Sequence, residues 1–437
     1  MGKGGGRSSE AAGAVAGRCY RGLWRIADEY GPGTRRTPGT LYVKQRRPIR
    51  VLQIIDSLGM GGAETWLMEA LRLWSKNEVV QIDFLATSGK PGIFDEEAQR
   101  LGAQVHYVRY GRAHLPRFAK QFRQVLREGR YHAIHDHQDY ASGWHFLMGA
   151  SALPPVRVTH VHNPWLHIEA NYAVSFSRRL TTIVGKRLVR QLATHVCGTS
   201  EEILRRYGFQ PAQARGPKVS VVHCGFDIGK FNRSRESDRQ SVLREFRWPE
   251  EARVVLFAGR LDRAMEFEHP QNHKNSWFAL NAVRAAVERQ PSVRFLMAGT
   301  GEHSRQDLES RIESWGLKDN LRLIGVRKDI DRLMRAADVL FFPSRQEGLG
   351  MVAVEAQAAG LPVLASTAVP RECVVIPELY SALALDEPIE LWAAALLQIM
   401  TRPRPPLELC RRALESSSFS IENSARRLEE IYSSAQQ

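Results

Sequence analysis

From Ile49 onward, short unbroken apolar runs alternate with stretches of helical apolar spacing, and this rhythm constrains the fold more than any other feature. The first unit is a run of strand length, RVLQIID, then a glycine loop, SLGMGGAE, then a helical stretch, TWLMEALRLW. QIDFLA, QVHYV, AIHDH, VRVTHVH and HVCGTS repeat the strand signal with helical stretches between them. VSVVHCGFDIGKF leads into RSRESDRQSVLREFRWPEE, charged and poor in apolar residues; a second series then runs through RVVLFAGRL, VRFLMAGTG, LRLIGV and VLFFPS and ends at PVLAS. Strands buried on both faces read as unbroken apolar runs, so parallel α/β layering is implied. At 437 residues the chain is too long for one core. Two doubly wound α/β domains of similar size, joined near Phe231 and facing each other across a cleft, are expected. Ligands in such sheets bind beyond the carboxyl ends of the strands, so the loops there hold the candidate residues.

The composition, 43% hydrophobic and 25% charged, excludes a mostly unfolded chain. Its net charge of +14 is uneven: residues 1–50 hold eleven Lys/Arg and three Asp/Glu, or +8, and the other 387 residues carry +6. The segment 1–47, rich in Gly, Ser and Arg, reads as a flexible basic arm. A basic helix from Ala14 to Tyr30 is conceivable within it, but a solvated tail is the simpler reading. With over half of the excess charge in residues 1–50 and no aromatic-basic motif beside it, a nucleic-acid or acidic-surface binding protein is the weaker alternative, and no nucleic-acid partner is expected. No apolar run approaches the roughly 20 residues that cross a bilayer, and the first residues lack the apolar stretch of a signal peptide. A soluble cytoplasmic protein is expected. Five Cys (Cys19, Cys197, Cys224, Cys373 and Cys410) lack metal or disulfide spacing, which agrees with a reducing compartment.

The segment FFPSRQEGLGMVAVEAQAAGLPVLAS is the most informative about chemistry. A strand ends at Pro343 and Ser344, Gly348 and Gly350 permit a tight turn around Leu349, and Met351 to Ala359 suit a helix stopped by Gly360 and Pro362. Glu347 then precedes the helix and Glu355 lies on its second turn. Eight helical steps would part the two carboxylates by about 12 Å, too far for a hydrolase acid/base pair. A long ligand with hydroxyls at both ends and an anion between them fits, because a helix N-terminus favours phosphate; a nucleotide sugar has that layout. FAGRL followed by KNSWFALNA places Arg260 and Lys274 after a strand, a plausible clamp for a leaving diphosphate that could substitute for a metal. Gly61 and Gly62 lie in the LGMGGAE loop, where backbone can approach a ligand closely or simply turn. His132, His135, His137, His145, His160, His162 and His167 are half of the fourteen histidines, packed into 36 residues. Strand spacing points His135 with His137, and His160 with His162, to one face per pair. A zinc site is conceivable there, but no Cys or carboxylate pattern completes one, and no metal is expected.

EGLGMVAVE resembles the signature of the family-4 retaining glycosyltransferases of the GT-B fold, a pair of Glu separated by seven residues; the resemblance runs from about Arg50 to Gln437. It implies two Rossmann-like domains: an acceptor domain at 48–230, a nucleotide-sugar donor domain at 231–405, and a final segment, 406–437, whose helix returns to the first domain. It implies that Glu347 contacts the donor sugar and Glu355 the ribose, and that Arg260 and Lys274 bind the donor phosphates. Gly348, Leu349 and Gly350 line the same donor site, and Gly61 and Gly62 the phosphate and acceptor region. The intervening EFEHPQNH is longer than usual in the family, which weakens the match at Lys274 more than at Arg260. His137, in HDHQD, and His162, in THVHNPW, match positions for acceptor positioning or proton handling; spacing does not decide between these roles.

CGTSEEI and HCGFDIGKF resemble segments that close the first domain, and STAVPRECVVIPELYSALAL resembles the subgroup linked to bacterial capsule and exopolysaccharide assembly. The expected reaction is metal-independent transfer of a sugar from a nucleoside diphosphate to a glycan or lipid-linked acceptor with retention, needing no cofactor beyond the donor. A nucleotide-sugar epimerase or phosphorylase is the alternative enzyme. Arg178, Arg179, Lys186, Arg187 and Arg190 on a helix with a separate apolar stripe suit peripheral docking on anionic lipid at the inner membrane face, although an ordinary surface helix is the commoner explanation.

Overall fold

The apolar runs become the strands of two all-parallel sheets in a computed structural model that describes residues 48–164, 168–169, 175–210, 216–262, 269 and 271–435, with backbone alone at 302 and 303. The basic arm, its Ala14–Tyr30 stretch and His167 lie outside the described residues. The first sheet comprises β1 (Ile49–Ile55), β2 (Val80–Ala86), β3 (Val105–Tyr107), β4 (Ala133–Asp136), β5 (Val156–Val161), β6 (His195–Gly198) and β7 (Lys218–Val221), in the order β3-β2-β1-β4-β5-β6-β7. The second comprises β8 (Arg253–Ala258), β9 (Val293–Ala298), β10 (Leu321–Gly325), β11 (Val339–Phe342), β12 (Val363–Ser366) and β13 (Tyr380–Leu383), in the order β10-β9-β8-β11-β12-β13. The second series therefore does not end at PVLAS: β13 extends the sheet beyond β12, and its half-buried edge position explains why it lacks an apolar run.

Helices cover both faces. Val51 and Ile55 of β1 pack with Trp66, Leu67 and Trp74 of the helix Gly62–Asn77, while Leu52 and Ile54 pack on the other side with Phe118 and Phe122 of the helix Leu115–Gly129. Strand order reverses between β1 and β4 and again between β8 and β11, and in doubly wound sheets the crevice at such a point receives the ligand. Topology therefore brings the loops after β1 and β4 together in the first sheet and those after β8 and β11 together in the second.

The charged stretch after Phe231 forms a packed helix, Arg235–Phe246. Val242 and Leu243 enter the second core, and its cations serve buried acids: Arg235 and Arg239 donate to Asp338 at 2.9 and 3.0 Å, and Asp338 also takes the Val254 amide at 2.8 Å. Arg335, fully buried, donates to Asp238 at 2.6 Å and to the Lys230 carbonyl at 2.7 Å. A charge without a partner could not be buried at tolerable cost, so these pairs turn charged residues into interior ones.

After the helix Leu407–Ser416, which packs in the second core, the chain crosses back. The last helix, Ile421–Tyr432, buries Ile421, Ala425, Leu428, Ile431 and Tyr432 in the first core. Trp66 Nε1 donates to Ser424 Oγ at 2.9 Å, Trp74 Nε1 to Glu429 at 2.6 Å and Gln53 Nε2 to Tyr432 Oη at 3.0 Å. No helix among the described residues is long and apolar enough to cross a membrane.

Candidate active site

At the carboxyl end of β8 the chain passes Gly259 and the exposed Arg260 and reaches Asp262, which organises the loop leading to the next helix. Asp262 is 3% exposed, and its carboxylate takes the amides of His273 (2.8 Å), Lys274 (3.0 Å) and Ser276 (3.1 Å), with the Ser276 hydroxyl at 3.3 Å. These bonds pin the start of the helix Ser276–Arg289 to the end of β8 and lay Lys274 across Gly259, where a Cβ would stand 3.5 Å from the lysine Cδ. Lys274 Nζ donates to Glu347 Oε1 at 2.6 Å and lies 5.4 Å from the centre of the Phe342 ring. The pair is partly open, with the two side chains 24% and 9% exposed, so its net worth is on the order of 1 kcal/mol and another anion could compete for the ammonium. Arg260 forms no ion pair with any described residue.

Gly350 has φ +93° and opens the helix Met351–Ala358, and Leu349 is buried in the second core. Glu355, on that helix, has different company from Glu347. Desolvation pushes its carboxyl up to about 7; the Lys230 ammonium works against this and the Asp331 carboxylate with it. Lys230 is itself ion-paired to Glu69 of the first helix, so Glu355 lies beside a cation that joins the two halves.

On the facing half, Gly61 and Gly62 are exposed at the N-terminus of the helix Gly62–Asn77. The Glu64 carboxylate folds back over Gly61, where a Cβ would meet its Oε2 at 2.1 Å. Burial raises the pKa of Glu64, its own backbone amide opposing the shift. A phosphate at this N-terminus would meet that carboxylate, which the reading of Gly61 and Gly62 as a phosphate cradle did not foresee.

His137 and His162 stand side by side, Nδ1 of the first 2.9 Å from Nε2 of the second. Gln53 Oε1 holds the other His137 nitrogen at 2.9 Å, and the Trp66 ring abuts both imidazoles with centroids 6.0 and 6.4 Å away. Asp139, at φ +49°, accepts the His162 amide at 3.0 Å and the Asn163 side-chain amide at 2.8 Å, fixing the loop after β5. Burial pushes Asp139 up to about 6. Desolvation drives His162 down to about 4, and His135, His137 and His160 well below the ordinary value, so all four rings are neutral near pH 7. Nitrogens of His135, His137 and His160 lie within 4.8 Å of one another, yet both nitrogens of His135 and of His137 are already hydrogen-bonded, so a cation here would have to break those bonds.

The two sets of residues meet at Gly348. A Cβ there would stand 2.4 Å from the His162 carbonyl oxygen, so only glycine lets the Glu347 loop close onto the end of β5. Ser200 Oγ donates to the Gly348 carbonyl at 2.8 Å, and the Glu372 carboxylate accepts the Glu201 amide with both oxygens at 3.0 Å. The sequence reading missed Asp262, Asp139, Gln53 and Glu64. Asp262 follows FAGRL directly and Gln53 interrupts an apolar strand run, which were the available signals.

Comparison with known proteins bears on this arrangement. A family model described as Glycosyltransferase Family 4 matches residues 60–230, and one described as Glycosyl transferases group 1 matches residues 252–402. EpsF of Bacillus subtilis (strain 168), whose name classes it with the glycosyltransferases, is 29% identical over 386 residues, 88% of this chain and 96% of its own. The D-inositol 3-phosphate glycosyltransferase of Corynebacterium urealyticum is 29% identical over 291 residues, 64% of this chain and 65% of its own. Among solved structures, Anabaena Alr3699/HepE in complex with UDP has a TM-score of 0.69 at 20% identity, covering 89% of this chain and 100% of that one. WaaG, a glycosyltransferase involved in lipopolysaccharide biosynthesis, has a TM-score of 0.66 at 15% identity, with 88% and 100% covered. The second sheet thus falls within one glycosyltransferase model and β2 to β7 of the first within the other, the Glu347 and His162 loops meet between them, and the chain belongs to the family-4 glycosyltransferases of the GT-B fold.

Proposed function

We propose that the protein transfers a sugar from a nucleoside-diphosphate sugar to a glycan or lipid-linked acceptor, with retention at the anomeric carbon and without a metal ion. The observation that carries this is the Lys274–Glu347 pair at 2.6 Å, held by Asp262 at the carboxyl ends of β8 and β11 and opposed by the His137–His162 pair across Gly348. Arg260 and Lys274 take the diphosphate; as the glycosidic bond to phosphate breaks, these fixed cations stabilise the growing negative charge, the work a metal does elsewhere. Glu347, relieved of Lys274, accepts hydroxyls of the donor sugar, and Glu355 accepts those of the ribose. His162, neutral near pH 7, hydrogen-bonds the acceptor, and His137, whose two nitrogens are engaged by His162 and Gln53, holds it in place. Retention follows from the family resemblance of EGLGMVAVE. Because Anabaena HepE was crystallised with UDP and with UDP-glucose, UDP-sugars are the first donors to try.

The test is a thermal-shift screen against UDP-, GDP- and ADP-sugars in EDTA, followed by turnover and product stereochemistry with the sugar that stabilises most. One strong hit, transfer with retained configuration in EDTA, and loss of transfer in Glu347→Ala are the expected results. No stabilisation by any nucleotide sugar, or full activity of Glu347→Ala, would overturn the assignment. Change of a UDP-sugar without an acceptor would indicate an epimerase, and dependence on inorganic phosphate a phosphorylase.

The lipid-linked form of the acceptor is favoured by one surface. On the helix Phe176–Leu192, Phe176, Leu180 and Ile183 are 86%, 52% and 40% exposed and share one face, with Arg178, Arg179 and Arg187 beside them. An apolar ridge flanked by cations suits the headgroup region of an anionic membrane at the cytoplasmic face. Co-sedimentation with anionic but not neutral vesicles, lost in Phe176→Ser/Leu180→Ser, is the expected outcome.

A further inference from the structure

His162 and His137 are the near end of a hydrogen-bonded chain that leads away from the site to the C-terminal helix. His162 Nε2 meets His137 Nδ1 at 2.9 Å, and His137 Nε2 meets Gln53 Oε1 at 2.9 Å. Gln53 Nε2 meets Tyr432 Oη at 3.0 Å, Tyr432 Oη meets His135 Nδ1 at 2.6 Å, and His135 Nε2 meets His160 Nδ1 at 3.2 Å. Gln53, His135, His160 and Tyr432 are all 0% exposed and His137 is 7% exposed, so water does not interrupt the chain.

A neutral imidazole has one donor nitrogen and one acceptor nitrogen, so within such a chain the proton on one ring fixes the proton on the next. The amide makes the chain directional, because its donor and acceptor are different atoms. With Oε1 toward His137, His137 donates from Nε2, its Nδ1 becomes an acceptor, and His162 must donate from Nε2. Tyr432 accepts from the amide and gives its hydroxyl proton to His135 Nδ1, and His135 donates from Nε2 to His160. All four rings are then Nε2–H tautomers. Turning the Gln53 amide over would reverse every bond and make all four Nδ1–H.

The far end selects between the two. His160 Nε2 is buried without an aligned hydrogen-bond partner, and the nearby Val222 backbone favours a proton on that ring. The reversed chain would leave a bare nitrogen there. At the near end, His162 Nδ1 is the only nitrogen of the four rings that is neither hydrogen-bonded to a described residue nor buried.

We propose that Gln53 and Tyr432 are positioning residues that hold His162 as its Nε2–H tautomer, so that its accessible Nδ1 offers a lone pair to a hydroxyl of the sugar acceptor. The tautomer follows from the chain alone; its use toward an acceptor hydroxyl rests on the glycosyltransferase reading of the site. The docking of the last helix, which carries Tyr432, becomes a condition for a competent His162.

Long-range nitrogen-15 spectra of the full-length protein, labelled at histidine and recorded at neutral pH, report each ring's tautomer directly. The expected result is Nε2–H at His135, His137, His160 and His162. Tyr432→Phe keeps the buried ring and removes only the hydroxyl; Gln53→Met cuts the chain at its directional link. In both, the His137 and His162 signals move toward tautomer-averaged positions, and kcat falls about fivefold, the worth of one hydrogen bond, while donor KM holds within about twofold. Nδ1–H at His162 in the wild type, or an unchanged His137–His162 pair in both variants, overturns the proposal. Should neither variant fold, the wild-type spectrum still decides. Nε2–H at His162 in a protein that transfers no sugar counts against the functional reading and leaves the tautomer assignment standing.

Discussion

Asp262→Asn changes one oxygen to an amide nitrogen and almost nothing in shape, yet it should disable the donor site from a distance. In the native loop one carboxylate oxygen takes the amides of His273 and Lys274 and the other takes the amide and hydroxyl of Ser276. Whichever way the asparagine turns, its NH2 faces at least one backbone N–H, and the bonds to the remaining oxygen lose their charge. Hydrogen bonds to a buried charge are worth roughly 1.5–3 kcal/mol each, and an orphaned buried donor adds its own cost, so about 3–4 kcal/mol is expected. At about 2–4 °C per kcal/mol for domains of this size, melting should fall by roughly 6–16 °C. Lys274 sits in the pinned segment, and a displacement of about 1 Å at a catalytic group can cost on the order of 100-fold in rate. A melting curve and kcat/KM for the donor, measured on the same preparation, give both numbers. A variant that melts within about 1 °C of the wild type and keeps its kcat/KM would show that Asp262 does not hold the loop.

Two further predictions concern pH. Glu355 is pushed up to about 7 from an ordinary 4.5, so between those values the folded protein holds a proton that the unfolded chain has lost. Its contribution therefore lowers stability as pH rises across that window, by at most about 3 kcal/mol, and Glu355→Gln should flatten the melting profile there. If its carboxylate accepts the ribose hydroxyls, donor KM should improve as pH rises through about 7, and the variant should lose that trend. The histidines act in the opposite sense: His162, driven down to about 4, stays neutral in the fold while the unfolded chain takes up protons below about 6.5. Its share of stability is full above that pH and is lost as pH falls, about 2 kcal/mol by pH 5, and His162→Gln should shrink the drop in melting temperature between pH 7 and pH 5. An equal drop in the variant would contradict the burial of His162 as its cause.

Much of this architecture is legible in the chain because parallel strands buried on both faces write themselves as unbroken apolar runs. β1, β8 and β11 are such runs, and the loops after them carry Gly61, Arg260 and Glu347. β13 escaped because an edge strand needs no such run, and the packing of the charged Arg235–Phe246 stretch was not legible because its arginines reach inward to acids far away in sequence, Asp338 above all. Spacing indicated that His135 with His137, and His160 with His162, share faces; it did not indicate that Gln53 and Tyr432, separated by 379 positions, complete their hydrogen bonds. Nor did the motifs show that Lys274 and Glu347 neutralise each other, since a contact across 73 residues belongs to the loop that Asp262 builds.

The central claim is that Arg260 and Lys274 hold a diphosphate while Glu347 serves the sugar. Calorimetric titration of UDP, GDP and ADP into the wild type, Lys274→Met and Glu347→Gln, all in EDTA, tests it most directly. The account predicts that one nucleotide binds the wild type, that Lys274→Met weakens it by about 10- to 100-fold, or roughly 1.4–2.8 kcal/mol, and that Glu347→Gln binds it at least as tightly as the wild type because the lysine is released. Undiminished nucleotide binding in Lys274→Met, or weakened binding in Glu347→Gln, would contradict it.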